Sequence, residues 1–95
     1  MIPVQAFMPS ALAAIIRQAP LSPEKIAFAW RTAVGPSVDR VTTITLDGHL
    51  LRVRTPSAAW RREVERSAGL IRARLAPLLG EDIVRSLDVT IDGQA

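Results

Sequence analysis

The stretch VTTITLDGHLLRVRT, residues 41–55, decides the fold class. From Val41 the side chains alternate, with Ile44 and Leu46 pointing one way and Thr43 and Thr45 the other, the period of a half-buried strand rich in β-branched residues. Asp47-Gly48 reads as a two-residue hairpin turn whose central positions favour positive φ. The return strand, His49 to Thr55, puts Leu51 and Val53 on the core side and Leu50, Arg52 and Arg54 on the other. The outer face of this hairpin is therefore expected to be half apolar and half basic.

Downstream, Ser57 is the expected cap of a long helical pattern. Trp60, Val64, Ile71, Leu75 and Leu78 share its apolar stripe, and Arg61, Arg62, Arg66 and Arg72 lie off it. In Ser67-Ala68-Gly69 the serine and the glycine lower helix propensity, so a bend or a break into two helices is expected there, with Pro77 a second irregularity. Gly80 ends the run, residues 81–85 form a short turn, and Leu87, Val89 and Ile91 alternate with Asp88, Thr90 and Asp92 as a closing strand.

Upstream, Pro9 and Ser10 open a short helix, Ser10 to Ala19, with Leu12, Ile15, Ile16 and Ala19 as its buried stripe. Pro20 stops it. Ser22 caps a second helix that has Pro23 at its first position and Ile26, Trp30, Ala33 and Val34 on its apolar face, and Gly35-Pro36 ends it. The sum is a single α+β domain over residues 1–95, core about 10–92, in the order α-α-β-β-α-α-β, with a small three-stranded sheet covered on one face by helices.

Composition sets the class of partner. Ninety-five residues hold one small core, and 48% apolar residues exclude a disordered chain. The absence of cysteine fits a reducing compartment and rules out thiolate chemistry and Cys-based metal sites. With no leader-like segment and no apolar run long enough to span a bilayer, the chain reads as cytoplasmic with no membrane partner. Charge is unevenly spread. Between Gly48 and Arg74 seven arginines stand against Glu63 and Glu65, a local charge of +5 in a chain of +3, so the remainder carries −2. That asymmetry points to a polyanion, nucleic acid first.

The search for chemistry predicts no enzyme, no cofactor and no metal. His49, the one histidine, sits beside the turn; Ser57 has a capping role; Glu63 and Glu65 point to different helix faces; and no phosphate loop or metal-ligand motif occurs. Trp30 and Trp60 fall on apolar stripes and are expected in the core, with their indole N–H groups partnered near its rim. The candidate nucleic-acid contacts are Arg52, Arg54, Arg61, Arg62, Arg66, Arg72 and Arg74, because guanidinium forks grip phosphates. Arg61 has Glu65 four residues on and Arg66 has Glu63 three before it, the pairing of an ordinary solvated helix face. Arg52, Arg54, Arg72 and Arg74 have no such sequence-local partner, which favours phosphate contacts.

The ordered set Trp30-x-x-x-Val34-Gly35, Asp47-Gly48-x-Leu50-x-x-Val53, Ser57-x-x-Trp60 and Leu78-Leu79-Gly80 before a closing strand resembles the DciA-like family of bacterial proteins over roughly residues 10–92. The resemblance implies a type II K-homology-like domain that binds DNA, single-stranded or duplex, without sequence readout. It also implies joint action with the replicative DnaB-type helicase in recruitment or loading at the initiation of replication. K-homology domains that clamp RNA carry a GxxG loop between their paired helices; the corresponding junction here reads Ser67-Ala68-Gly69-Leu70, which disfavours an RNA-binding reading. A further reading is a protein-interaction module that docks a partner or a second copy through Leu50 and the segment Ile2 to Phe7. The sequence leaves the oligomeric state open.

Overall fold

The structure is a computed structural model of the 95-residue chain, described here for residues 10–92. Eight elements follow in order: α1 (Ser10–Gln18), α2 (Pro23–Val34), α3 (Pro36–Val41), β1 (Thr43–Asp47), β2 (Leu50–Thr55), α4 (Ala58–Arg66), α5 (Ala68–Leu79) and β3 (Ser86–Ile91). The strands form one mixed sheet in the order β1-β2-β3, with β1 antiparallel and β3 parallel to the central β2. This is the expected α+β, K-homology-like arrangement with one addition, α3. Proline at its first position suits a helix start, but the six residues are too few to show an apolar period, so Gly35-Pro36 reads as a plain stop.

The hairpin turn differs by one residue from the sequence expectation. Strand pairing runs to Asp47 opposite Leu50, so the two loop residues are Gly48 and His49. Only Gly48 has positive φ, +63°, the sign pattern of a turn with glycine at its first central position. Asp47 thereby becomes the last residue of β1 instead of part of the turn. His49 ties this corner to the approach of β3: its ring Nδ1 lies 2.7 Å from the Asp82 carbonyl and its own carbonyl accepts from the Arg85 amide.

Alternation in all three strands gives the sheet a covered face and an open one. Leu51, Val53 and Thr55 of β2 are fully buried, while Arg52 and Arg54 are exposed. Against the covered face pack Ala29, Trp30 and Ala33 of α2, Val64 of α4, and Ile71, Leu75, Leu78 and Leu79 of α5, with Val89 of β3 alongside. Alanine at two positions one turn apart on α2 is what lets its backbone approach α5 closely. Ser22 and Ser57 cap α2 and α4 as expected, their hydroxyls accepting from the Lys25 and Trp60 amides. α4 ends and α5 begins at Ser67, the expected break, whereas Pro77 leaves α5 unbroken to Leu79. Pro77 has no amide hydrogen to donate to the Ala73 carbonyl four residues before it, so the helix continues without that one bond.

Two expectations about burial are corrected. On α1 the inward residues are Ala13 and Ile16; Leu12 and Ile15 are exposed, Ile15 by 65%, and Ala19 is exposed beyond the helix end. α1 packs against α5, and among the described residues Leu12 and Ile15 stand outside the core cluster. Trp30 is core as expected, 1% exposed, with Nε1–H donating to Thr42 Oγ1 at 2.9 Å. Trp60 is only half-buried and stands outside the core cluster, because the first turn of α4 lies at the rim of the sheet.

Among the described residues Thr55 is the one buried polar residue; its hydroxyl donates to the Thr90 carbonyl at 2.8 Å, joining the ends of β2 and β3. Thr55→Val keeps the shape and removes that bond. We expect a loss of about 1–2 kcal/mol, read as a lowered urea midpoint with unchanged slope.

Candidate nucleic-acid interface

β2 sets Arg52 and Arg54 on the open face of the sheet, in register with Thr45 and Thr43 of β1 on one side and Asp88 and Thr90 of β3 on the other. Both guanidinium groups are engaged. Arg52 Nη2 lies 3.2 Å from Asp47 Oδ2, and Arg54 Nη2 lies 2.8 Å from Asp92 Oδ1. With Asp88 beside Arg52, this face carries two arginines and three aspartates, a local charge of −1. The expectation that these two arginines lack a partner holds only along the sequence. Asp47 enters the face because the turn begins one residue later than expected, and Asp92 is brought from 38 residues away by the parallel pairing of β3.

The helix pair differs. Arg61, Arg62 and Arg66 are exposed on α4, and Arg72 and Arg74 on α5, against Glu63 and Glu65, a local charge of +3. Arg61 meets Glu65 and Arg66 meets Glu63, each at 3.5 Å, as the spacing predicts. Such exposed pairs contribute little and leave the guanidinium free to exchange partners. Among the described residues Arg62 and Arg72 have no hydrogen-bond or ion-pair partner for their guanidinium groups, and Arg62 and Arg66, four apart, share one face of α4.

Arg74 has a structural task instead. Its Nη1 donates to the carbonyl of Ala33 at 3.1 Å, in the last turn of α2, where a cation complements the helix dipole. Lys25 does the same for α1, with Nζ donating to the carbonyls of Arg17 and Ala19. The seven predicted contacts therefore separate into a neutralised sheet pair, a capping residue and the α4–α5 group. The residues missed by sequence reasoning are the acids: Asp47, Asp88 and Asp92. Alternation in β3 already places Asp88 and Asp92 outward; what is missing from the sequence is that β3 lies beside β2.

Among the described residues no group of three or more His, Cys, Asp and Glu could hold a metal ion, no buried side-chain polar atom is left without a partner, and no helix is long and apolar enough to cross a membrane. An apolar groove of about 540 Å³ lies between the start of α2 and β1, with no arginine among its lining residues. A search of protein families, of curated proteins and of solved structures finds nothing that matches this chain.

The division of roles has a direct check. Arg74→Gln should lower unfolding stability by about 1 kcal/mol through loss of the bond to Ala33, while Arg62→Gln should stay within about 0.5 kcal/mol of the parent. Parallel urea titrations of the two variants measure both.

Proposed function

We propose that this chain is a non-catalytic DNA-binding protein that attaches to the phosphate backbone through its α4–α5 helix pair, without base readout. The observation that carries the reading is the contrast between the two arginine groups: Arg62 and Arg72 have no acidic partner among the described residues, whereas Arg52 and Arg54 are bridged to aspartates. A phosphate approaching the sheet must displace a carboxylate; one approaching the helices need not. Arg62 and Arg72 thus lead, Arg61 and Arg66 join by exchanging Glu65 and Glu63 for phosphate, and Arg52, Arg54 and Arg74 are secondary.

The resemblance to the DciA-like family supports the further step, cytoplasmic action alongside a replicative DnaB-type helicase during its recruitment or loading. A second reading, docking of a protein partner, is favoured by the large apolar side chains exposed on the helical side: Leu12, Ile15, Phe28 and Leu70. The segment Ile2 to Phe7, expected to contribute, lies outside the described residues, and Leu50 is half-buried.

Fluorescence anisotropy with labelled single-stranded and duplex DNA tests the main reading. Affinity should fall with salt by about 0.7–0.9 log units per log unit of salt for each phosphate neutralised. Arg62→Glu with Arg72→Glu should weaken binding at least about tenfold, more than Arg52→Glu with Arg54→Glu, because each reversal turns an attraction into a repulsion. No binding of either DNA at low salt, or the opposite order of the two pairs, overturns it. A pull-down with the cognate helicase tests the partner.

A further inference from the structure

β1 is an edge strand of five residues whose one charged residue, Asp47, stands at its end beside the turn, so that Thr43–Leu46 carry no charge. Natural edges are protected by shortness, charged side chains, proline, a bulge or a covering element. Thr43–Asp47 has no lysine or proline, pairs one-to-one with β2 without a bulge, and is flanked on its helical side by the open groove that Leu21, Pro23, Ile26, Ile44 and Leu46 line. Leu21 is itself about half exposed. The opposite edge, β3, carries Asp88 within the strand and packs with α4.

The two-residue turn fixes which backbone groups are free. It closes on Asp47 and Leu50 as a hydrogen-bonded pair, and such pairs alternate along an antiparallel ladder, so Thr45–Arg52 and Thr43–Arg54 are bonded pairs as well. The N–H and C=O groups of Ile44 and Leu46 therefore point away from β2, and no backbone hydrogen bond from the described residues reaches them on that side.

We propose that β1 is a self-association edge, on which two copies of the chain join their β1 strands antiparallel about a two-fold axis at Thr45 to make one six-stranded sheet. That register sets Ile44 opposite the second copy's Leu46, twice, and these are the residues whose backbone groups are free to bond. It sets Thr45 opposite the second copy's Thr45, and Thr43 opposite the second copy's Asp47. Apolar meets apolar on the groove side, polar meets polar on the open side, and no like charges oppose. Charge is complementary one strand further in: Arg54 is in register with Thr43, so the second copy's Asp47 comes onto the same row and the same face. Because the paired residues keep their faces, both sets of helices lie on one side and the two grooves close on each other. The isologous symmetry is that of an ordinary closed dimer. The inference stands apart from the DNA reading and fails or holds without it.

Thr45 is exposed and points to the open face, so a charge there is compatible with the folded monomer. Sedimentation equilibrium of the wild type should show a reversible monomer–dimer equilibrium in the micromolar range. Thr45→Lys and Thr45→Glu, each placing like charges across the axis, should weaken self-association by about tenfold with unchanged circular dichroism. An equimolar mixture of the two should restore it, as a mixed dimer. A wild type that stays monomeric throughout the micromolar range overturns the proposal. So does a dimer insensitive to both substitutions, which would place the contact elsewhere, for instance on exposed Leu12 and Ile15, and so does a mixture that fails to recover association.

Discussion

Everything in this small domain depends on β2 being bonded on both edges and buried on one face. Leu51, Val53 and Thr55 are almost wholly removed from water, and the strand's two neighbours supply the hydrogen bonds that make such burial of backbone tolerable. The parallel partner β3 can be reached only by a crossover, and α4 and α5 are that crossover. Their apolar residues land on the face that β2 has just created. Helix pair, core and sheet are thus one construction, with Thr55 and its bond to the Thr90 carbonyl fastening the far end.

The same alternation that buries Leu51 and Val53 exposes Arg52 and Arg54, so the core and the basic surface are two consequences of one strand. What the tertiary structure adds is their neutralisation. Two strands that carry aspartates at outward positions flank β2, and the sheet's open face becomes a mixed-charge surface instead of a basic one. The positive field moves to the α4–α5 pair, where Arg62, Arg72 and Arg74 have no ion-pair partner among the described residues. The chain's charge asymmetry is real, but its useful part is smaller than the count of arginines suggests.

Much of this was readable in the residues. Ser22, Ser57 and Gly80 marked helix ends by the chemistry of capping, Ser67 and Gly69 marked the break between α4 and α5 by low propensity, and the period-two pattern marked all three strands. The misreadings have specific causes. α3 is shorter than two helical turns and leaves no periodic signal. The turn slipped from Asp47-Gly48 to Gly48-His49 because one glycine at positive φ suffices there. Leu12, Ile15 and Trp60 follow an apolar period, yet a period says only which side chains share a face, not whether another element covers it.

The sequence by itself determined every element but α3, the faces of the strands and the local ion pairs of α4, because capping, periodicity and i,i+3 or i,i+4 spacing act within a few residues. Only the tertiary structure decided which arginines have no partner among the described residues, that Arg74 caps α2, and that β1 is an edge strand beside an apolar groove. Those outcomes depend on strand order and helix packing, which join residues far apart in the chain, 41 positions for Arg74 and Ala33. No local pattern encodes a distance of that kind.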